Sequence, residues 1–176
     1  MNASEEQERE SSEWNVRELS AGEFDALSAA SEYGGFQQTS EMAALAQSEG
    51  MQTQYVGLVD SHDVPVAGAL VAFSQGRFGV EGSLWLGPLC NGNDGEQMTA
   101  LTDGLREVAE RVHAISLTCW PNQVYCVRDS QGKVMAEPND EMVREYERLG
   151  WKHAGFARGY GALMNRWNYV KDLREF

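Results

Sequence analysis

The longest mainly apolar run of the chain, from Val64 to Phe73, limits what this sequence can form. A helix that crosses a membrane needs about 20 apolar residues, and this run is far shorter. Its composition is typical of a β-strand, and a similar run covers Gln54 to Asp60, on the other side of the turn Ser61–Asp63. The two runs predict a β-hairpin in a globular protein that does not insert stably into a membrane.

Helix signals precede this hairpin. A strand over residues 14–19 is followed by Ser20, which has the capping-box spacing to Glu23 and predicts a helix up to about Ser31. A second helix is predicted to begin at Thr39 or Ser40 and to end at Gly50.

Strands and helices alternate in the rest of the chain. A helix after Asp94 has an apolar stripe from Met98 to Val112, and another helix begins at Asn139 or Asp140 and ends at Gly150. Further strands are predicted at residues 80–86, 115–120, 151–158 and 166–173. The predicted order is β-α-α-β-β-β-α-β-α-β-β, which indicates an α/β or α+β fold with one mixed sheet.

Charge is unevenly distributed along the chain. The net charge is −13, from 14 basic and 27 acidic residues, and residues 1–49 contain 11 of the acids and only 2 of the bases. Residues 144–176 have 7 bases and 4 acids. Binding to nucleic acid requires clustered Lys and Arg, so the chain as a whole is a poor general nucleic-acid binder.

Length and composition predict one domain with a tail. Residues 1–13 are acidic and polar, which predicts a disordered tail, and residues 14–176 have the size of a single domain. The N-terminus has no apolar segment typical of a signal peptide. The three cysteines form no CxxC pair, so a zinc site or a disulfide framework is not expected, and a cytoplasmic protein is the simplest interpretation.

Four segments resemble known motifs. Tyr146–Trp151 resembles the "ERLGF" stretch of GNAT acyltransferases, and the element order is similar to the GNAT fold. Gly35–Gln38 resembles a "G-x-F-x-Q" motif, Leu86–Pro88 an "R-G-P" turn, and Arg166–Leu173 a "Q-P-R-W-x-x-V-x-D-L" strand. Together these motifs resemble the Fem family, the FemA-, FemX- and MurM-type aminoacyltransferases of peptidoglycan synthesis.

The resemblance implies a function. Fem enzymes transfer an amino acid from aminoacyl-tRNA to the diamino acid of the peptidoglycan stem peptide, on a lipid- or nucleotide-linked precursor, and they need no further cofactor. They contain two tandem GNAT-like domains, and this chain resembles the first of them. It is therefore expected to be the acceptor-side domain, with the tRNA bound through a second domain.

Candidate substrate-binding residues lie at two predicted strand ends. Trp85, Gly87 and Pro88 end one strand at a sharp turn, where a GNAT-like sheet admits its ligand. Trp120, Asn122 and Tyr125 follow the next strand, at the edge where open α/β sheets bind ligands. The family motifs add Gln38 and Arg166. No Ser/His/Asp or Cys/His combination is evident, so no catalytic residue or metal ligand is assigned.

Two other functions remain open. The first is a stand-alone acetyl-CoA acyltransferase, in which the turn from Asn91 to Gly95 would bind a phosphate. Against it, the R/Q-x-x-G-x-G/A loop of those enzymes is absent, and Asp94 would repel a pyrophosphate. The second is a non-catalytic interaction module, favoured by Met42–Ala46, which has no base where Fem proteins usually have Trp and Lys.

Overall fold

The computed structural model describes residues 14–90 and 95–155. Strands in these two segments are β1 Asn15–Glu18, β2 Gln52–Val59, β3 Pro65–Gln75, β4 Val80–Trp85, β5 Leu89–Cys90 and β6 Ala114–Trp120. The helices are α1 Ala21–Ala30, α2 Ser40–Ser48, α3 Gly95–Arg111 and α4 Asp140–Arg148, and a 3₁₀ turn covers Phe36–Gln38.

The strands form one mixed sheet in the order β1-β2-β3-β4-β6, with the short β5 also paired to β3. The predicted hairpin is present as the antiparallel pair β2–β3. Only the β4–β6 pairing is parallel among the described strands, and α3 is the crossover between the two. The prediction of a mixed sheet is therefore confirmed.

Helices cover both faces of β3, which explains its continuous apolar sequence. Ala69, Val71 and Phe73 belong to a cluster with Leu101 and Leu105 of α3. On the other face, Leu70 packs in a second cluster with Phe24 of α1 and Ala43 of α2. A strand that is buried on both faces loses the alternation of polar and apolar residues. No helix in the described segments is both long and apolar enough to cross a membrane.

Predicted helix boundaries agree closely with the structure. Ser20 and Glu23 form the complete capping box, with the Ser20 amide donating to the Glu23 carboxylate at 2.8 Å. Asn139 caps α4 by accepting from the amide of Met142 at 3.2 Å. The start of α3 at Gly95 also agrees, but its predicted cap, Asp94, lies outside the described residues.

The strand predicted from Trp151 is wrong for its first part, because residues 151–155 form no strand. The amides of Gly150 and Trp151 donate to the carbonyls of Glu147 and Tyr146, both at 3.0 Å, and Gly150 has a φ of 88°. This is a Schellman motif, which ends a helix with a left-handed residue. Trp151 then packs edge-on against Tyr146, and its indole nitrogen donates to Thr102 of α3 at 3.4 Å.

Several other sequence predictions fall on parts of the chain that the structure does not describe. These are the acidic tail of residues 1–13, the turn up to Asp94, the rest of the strand at 156–158 and the strand at 166–173.

Two helical glycines provide a matched test of packing. An added Cβ at Gly22 of α1 would meet nothing within 4 Å, whereas at Gly104 of α3 it would lie 2.5 Å from a methyl of Val16. We expect Gly22→Ala to raise the free energy of unfolding by about 0.5–1 kcal/mol, the usual helix preference for alanine. Gly104→Ala should instead lower it by about 1–3 kcal/mol through overpacking. Urea denaturation measures both, and equal stabilisation by the two substitutions would contradict the close contact of α3 with β1.

Candidate functional site

The parallel strands β4 and β6 end side by side, with Trp85 opposite Trp120. The backbone leaves the sheet after each of these two residues. After Trp85, Leu86 has a φ of 51° and the Gly87–Pro88 peptide bond is cis. Ligands of open α/β sheets bind outside the carboxyl ends of such strands. We call this edge the cleft, defined by Trp85–Pro88 and Trp120–Gln123.

The sheet is open on one side of the cleft. β3 pairs with β4 as far as Ala72 opposite Ser83, and pairing resumes with β5 at Gly68 opposite Leu89. The register has shifted by two residues between these points. Without this shift, the backbone of Leu70 would face that of Trp85.

Gln38 fills the opening. Its side chain is fully buried, its Oε1 accepts from the amide of Leu70 at 2.9 Å, and its Nε2 donates to the carbonyl of Trp85 at 2.8 Å. The carboxamide therefore replaces the missing pairing between two strands. Unpaired buried backbone groups are costly, so this bridge stabilises the open register.

The turn of the cleft fits closely around Gln38. A Cβ at Gly87 would lie 2.8 Å from the Gln38 carboxamide carbon, so a glycine allows the contact. The resemblance assigned Gln38 to substrate binding. In the structure its carboxamide forms hydrogen bonds with the backbone of Leu70 and Trp85. Gln38 thus acts on the cleft by positioning Trp85 and Gly87.

The loop after β6 is anchored at both ends. The Asn122 side-chain nitrogen donates to the carbonyl of Tyr33 at 3.0 Å, and the Tyr125 hydroxyl donates to Asp140 at 2.8 Å. The bond to Asp140 is the main cause of a raised pKa of Tyr125. The structure therefore groups Gln38, Trp85, Gly87, Pro88, Trp120 and Asn122 at one edge, whereas Tyr125 turns to the start of α4. Arg166 lies outside the described residues.

A cavity of about 240 Å³ adjoins the cleft between α3 and α4. Pro88 lines it, as do residues that the sequence analysis did not select: Cys90, Met98, Thr99, Gln123, Tyr146 and Leu149. Met98, Tyr146 and Leu149 follow the apolar stripes of their helices, so nothing in the sequence separates them from core residues.

Two polar groups of the cavity are unpaired. Gln123 Oε1 is buried without a hydrogen-bond partner, and the Tyr146 hydroxyl has no hydrogen bond within the described segments. Burial is the main cause of a strongly raised pKa of Tyr146, so this phenol is neutral at physiological pH. Glu145 and Arg148 also line the cavity, which therefore combines charged and neutral polar groups with apolar walls.

The thiol nearest the cleft in sequence is Cys119, which precedes Trp120. Burial raises the pKa of Cys119 to about 12. Because the thiolate is the nucleophilic form, the structure does not favour covalent catalysis through Cys119. Among the residues that the structure describes, no group of three or more His, Cys, Asp or Glu could hold a metal ion.

Comparison with solved structures defines the class of fold. A structure reported as "Crystal structure of FemX" matches with a TM-score of 0.67 and 18% identity, over 84% of this chain and 34% of that chain. A structure reported as that of a probable acetyltransferase matches with a TM-score of 0.54 and 10% identity, over 86% of this chain and 98% of that chain. The fold is that of GNAT-like acyltransferases, as predicted.

The family follows from the sequence itself. The model of the FemAB family matches residues 19–176, nearly the whole chain. The chain belongs to the FemAB family, which confirms the predicted relationship. It spans about a third of the FemX chain that it resembles. No curated protein matches the chain significantly.

The Gln38 bridge can be tested by a double-mutant cycle. Gln38→Ala leaves the Leu70 amide and the Trp85 carbonyl unpaired, and we expect it to lower the free energy of unfolding by about 2–4 kcal/mol. Gly87→Ala alone should lower it by about 1–3 kcal/mol through overpacking. In the double variant the added methyl group no longer clashes with Gln38. The double variant should therefore lose about 1 kcal/mol or more less free energy of unfolding than the two single variants lose together.

Gly35→Ala serves as the control for that cycle, because a Cβ there would make only ordinary contacts, the nearest at 3.7 Å. Urea denaturation gives all of these values. Additive losses from Gln38→Ala and Gly87→Ala would show that the two residues are not coupled through the cleft.

Thiol labelling tests the state of Cys119. Burial raises the pKa of Cys119 well above its usual range, so little of this thiol is ionised at about pH 8. We expect iodoacetamide to leave Cys119 unmodified in the native protein and to alkylate it in denaturant, as read by peptide mass spectrometry. Rapid alkylation of native Cys119 would contradict the raised pKa of this partly buried thiol.

Proposed function

We propose that this chain is the acceptor-side part of a peptidoglycan aminoacyltransferase. The FemAB family match over residues 19–176 is the observation that carries the proposal. The cleft beside Trp85 and Trp120 supports it, because both strands end there in the arrangement that receives ligands. The substrate is a nucleotide- or lipid-linked muropeptide, and the reaction takes place in the cytoplasm.

The proposed reaction requires this domain mainly to position the acceptor. The free amine of the stem-peptide diamino acid attacks the carbonyl carbon of the aminoacyl ester, and an amide bond forms as the ester bond to the tRNA ribose breaks. The ribose oxygen leaves with a proton, and the attacking nitrogen loses one. Because the ester is already activated, most of the rate enhancement comes from holding the amine close to it.

Residues of the cleft have distinct roles in this proposal. Trp120 and Trp85 offer flat apolar surfaces to the sugar and peptide of the acceptor. Asn122 holds the loop on which Gln123 lies, and Gln38 fixes the turn that carries Pro88. These residues position the acceptor, and none of them acts as an acid or a base.

The charge of the chain favours a donor site elsewhere. A net charge of −13 disfavours contact with the phosphates of aminoacyl-tRNA. The chain also covers only 34% of the FemX chain. We therefore propose that aminoacyl-tRNA binds through a second GNAT-like domain, and that this chain alone does not catalyse transfer.

A stand-alone acetyl-CoA acyltransferase is the second candidate. One observation favours it: a structure reported as that of a probable acetyltransferase shares the fold over 86% of this chain. Calorimetry with acetyl-CoA separates the two proposals, because tight and saturable binding would favour the acetyltransferase.

The acceptor role can be tested with the purified chain. We expect nucleotide-linked muropeptide to bind in the absence of tRNA, and Trp120→Ala to weaken this binding about tenfold or more by removing an aromatic contact. Phe78→Ala is the matched control, since Phe78 is 80% exposed and lies beyond the opposite end of β4. Calorimetry or a fluorescence titration gives the affinities.

The transfer step needs its own assay. Aminoacyl-tRNA and a muropeptide supplied together should give no product above the blank without protein. Stoichiometric product that is lost in the Trp120→Ala variant would show a complete active site in this chain. Absence of muropeptide binding would contradict the acceptor role.

A further inference from the structure

Helix α1 has an outer face without charged side chains. Its exposed residues are alanines and one glycine: Ala21, Gly22, Ala26, Ala29 and Ala30. Both of its acids make contacts within the protein, since Glu23 pairs with Arg17 at 2.7 Å and Asp25 accepts from the amide of Ser40 at 2.7 Å. A surface helix normally has charged or polar residues opposite the core, so the outer face of α1 is typical of a helix that is covered on both sides.

Helix α2 extends this outer face. The two helices lie on the same side of the sheet, where Phe24 of α1 and Ala43 of α2 pack in one cluster with Leu70. Away from the sheet, α2 exposes Ala44 and Leu45, and Leu45 is 48% exposed. We call the exposed face of the two helices the α1–α2 surface, defined by Gly22, Ala26, Ala29, Ala30, Ala44 and Leu45.

Helix α3, on the other side of the sheet, provides a comparison within the same molecule. Its outer face exposes Asp103, Arg106, Glu107 and Glu110, a charged stripe of the kind expected on a solvated helix. Both faces belong to one chain and cover one sheet, so the overall composition of the protein does not explain the difference. The centre of a protein–protein interface is depleted of charged residues, as the α1–α2 surface is.

Charge around the α1–α2 surface indicates what kind of partner it fits. No Lys or Arg occurs between Arg17 and Arg77, and this segment contains eight acidic residues. Glu41 in the first turn of α2 and Glu49 at its C-cap are both exposed. Two copies of this surface would bring acid against acid, which is unfavourable, whereas basic residues would be attracted to it. The charge therefore favours a basic partner over a second copy of this chain.

We propose that the α1–α2 surface binds an amphipathic helix of a partner protein. The small and apolar residues of that helix pack on Ala26, Ala29 and Leu45, and its flanking Lys or Arg residues pair with Glu41 and Glu49. Alanines allow a second helix to approach to the usual interaxial distance of about 8–10 Å. The inference does not rest on the acceptor role, because the cleft is formed by other elements, at the ends of β4 and β6.

Three synthetic helical peptides of about 20 residues test the proposal. The first has a stripe of Ala and Leu flanked by Lys, the second has Glu in place of Lys, and the third keeps Lys but has Gln in place of the stripe. The third measures the general attraction of bases to an acidic protein. We expect the full chain to bind the first at least about tenfold more tightly than either of the others. In nitrogen-15 NMR spectra, the shifted amides should lie in α1 and α2, and added salt should weaken binding.

Variants locate the contact. Ala29→Lys places a base in the middle of the α1–α2 surface and keeps a good helix former, so it should weaken binding of the first peptide about tenfold or more without changing the circular dichroism. Gln131→Lys is the matched control, because it adds the same charge at an exposed loop residue, and it should weaken binding much less. Trp120→Ala alters the cleft and should leave peptide binding unchanged, which separates this test from that of the acceptor role.

The inference is overturned if the first peptide does not bind, if it binds no more tightly than the third, or if the shifted amides lie in α3. Unchanged binding to the Ala29→Lys variant would also overturn it. Sedimentation velocity tests the choice of partner, since the chain alone should be a monomer. A dimer that Ala29→Lys dissociates would assign the α1–α2 surface to a second copy of the chain and would contradict the argument from charge.

Discussion

The carboxamide of Gln38 joins two strands that would otherwise separate inside the sheet. It accepts from Leu70 of β3 and donates to Trp85 of β4, and this bridge allows the register to shift by two residues before β5. The shift produces the turn from Leu86 to Pro88. Both the cleft and the adjoining cavity use this turn, so the candidate site depends on a residue that does not face it.

The arrangement of the site follows from this bridge and from one crossover. Helix α3 leads the chain from the end of β5 to the start of β6, which places β6 parallel to β4. Parallel strands end at the same edge, so Trp85 and Trp120 meet there. The loop after Trp120 then brings Gln123 to the wall that α4 completes.

Local patterns predicted the elements of this fold well, because each pattern has a local cause. The Ser20–Glu23 capping box and the glycine after Leu149 act within one helical turn, and the structure has both. The strand at Trp151 was mispredicted because its apolar composition also suits the packing of Trp151 on α3. The candidate residues at the ends of β4 and β6 could be located from the sequence, since strand ends are predictable. The roles of Gln38, Gln123 and Tyr146 could not, because they depend on contacts between distant segments.

The neutral state of Cys119 has a consequence for the environment in which the cleft can work. Peroxides and disulfides react with thiolates, and a partly buried cysteine that stays protonated is a poor target for them. Cys119 can therefore lie next to Trp120 without making that strand end a point of oxidative damage.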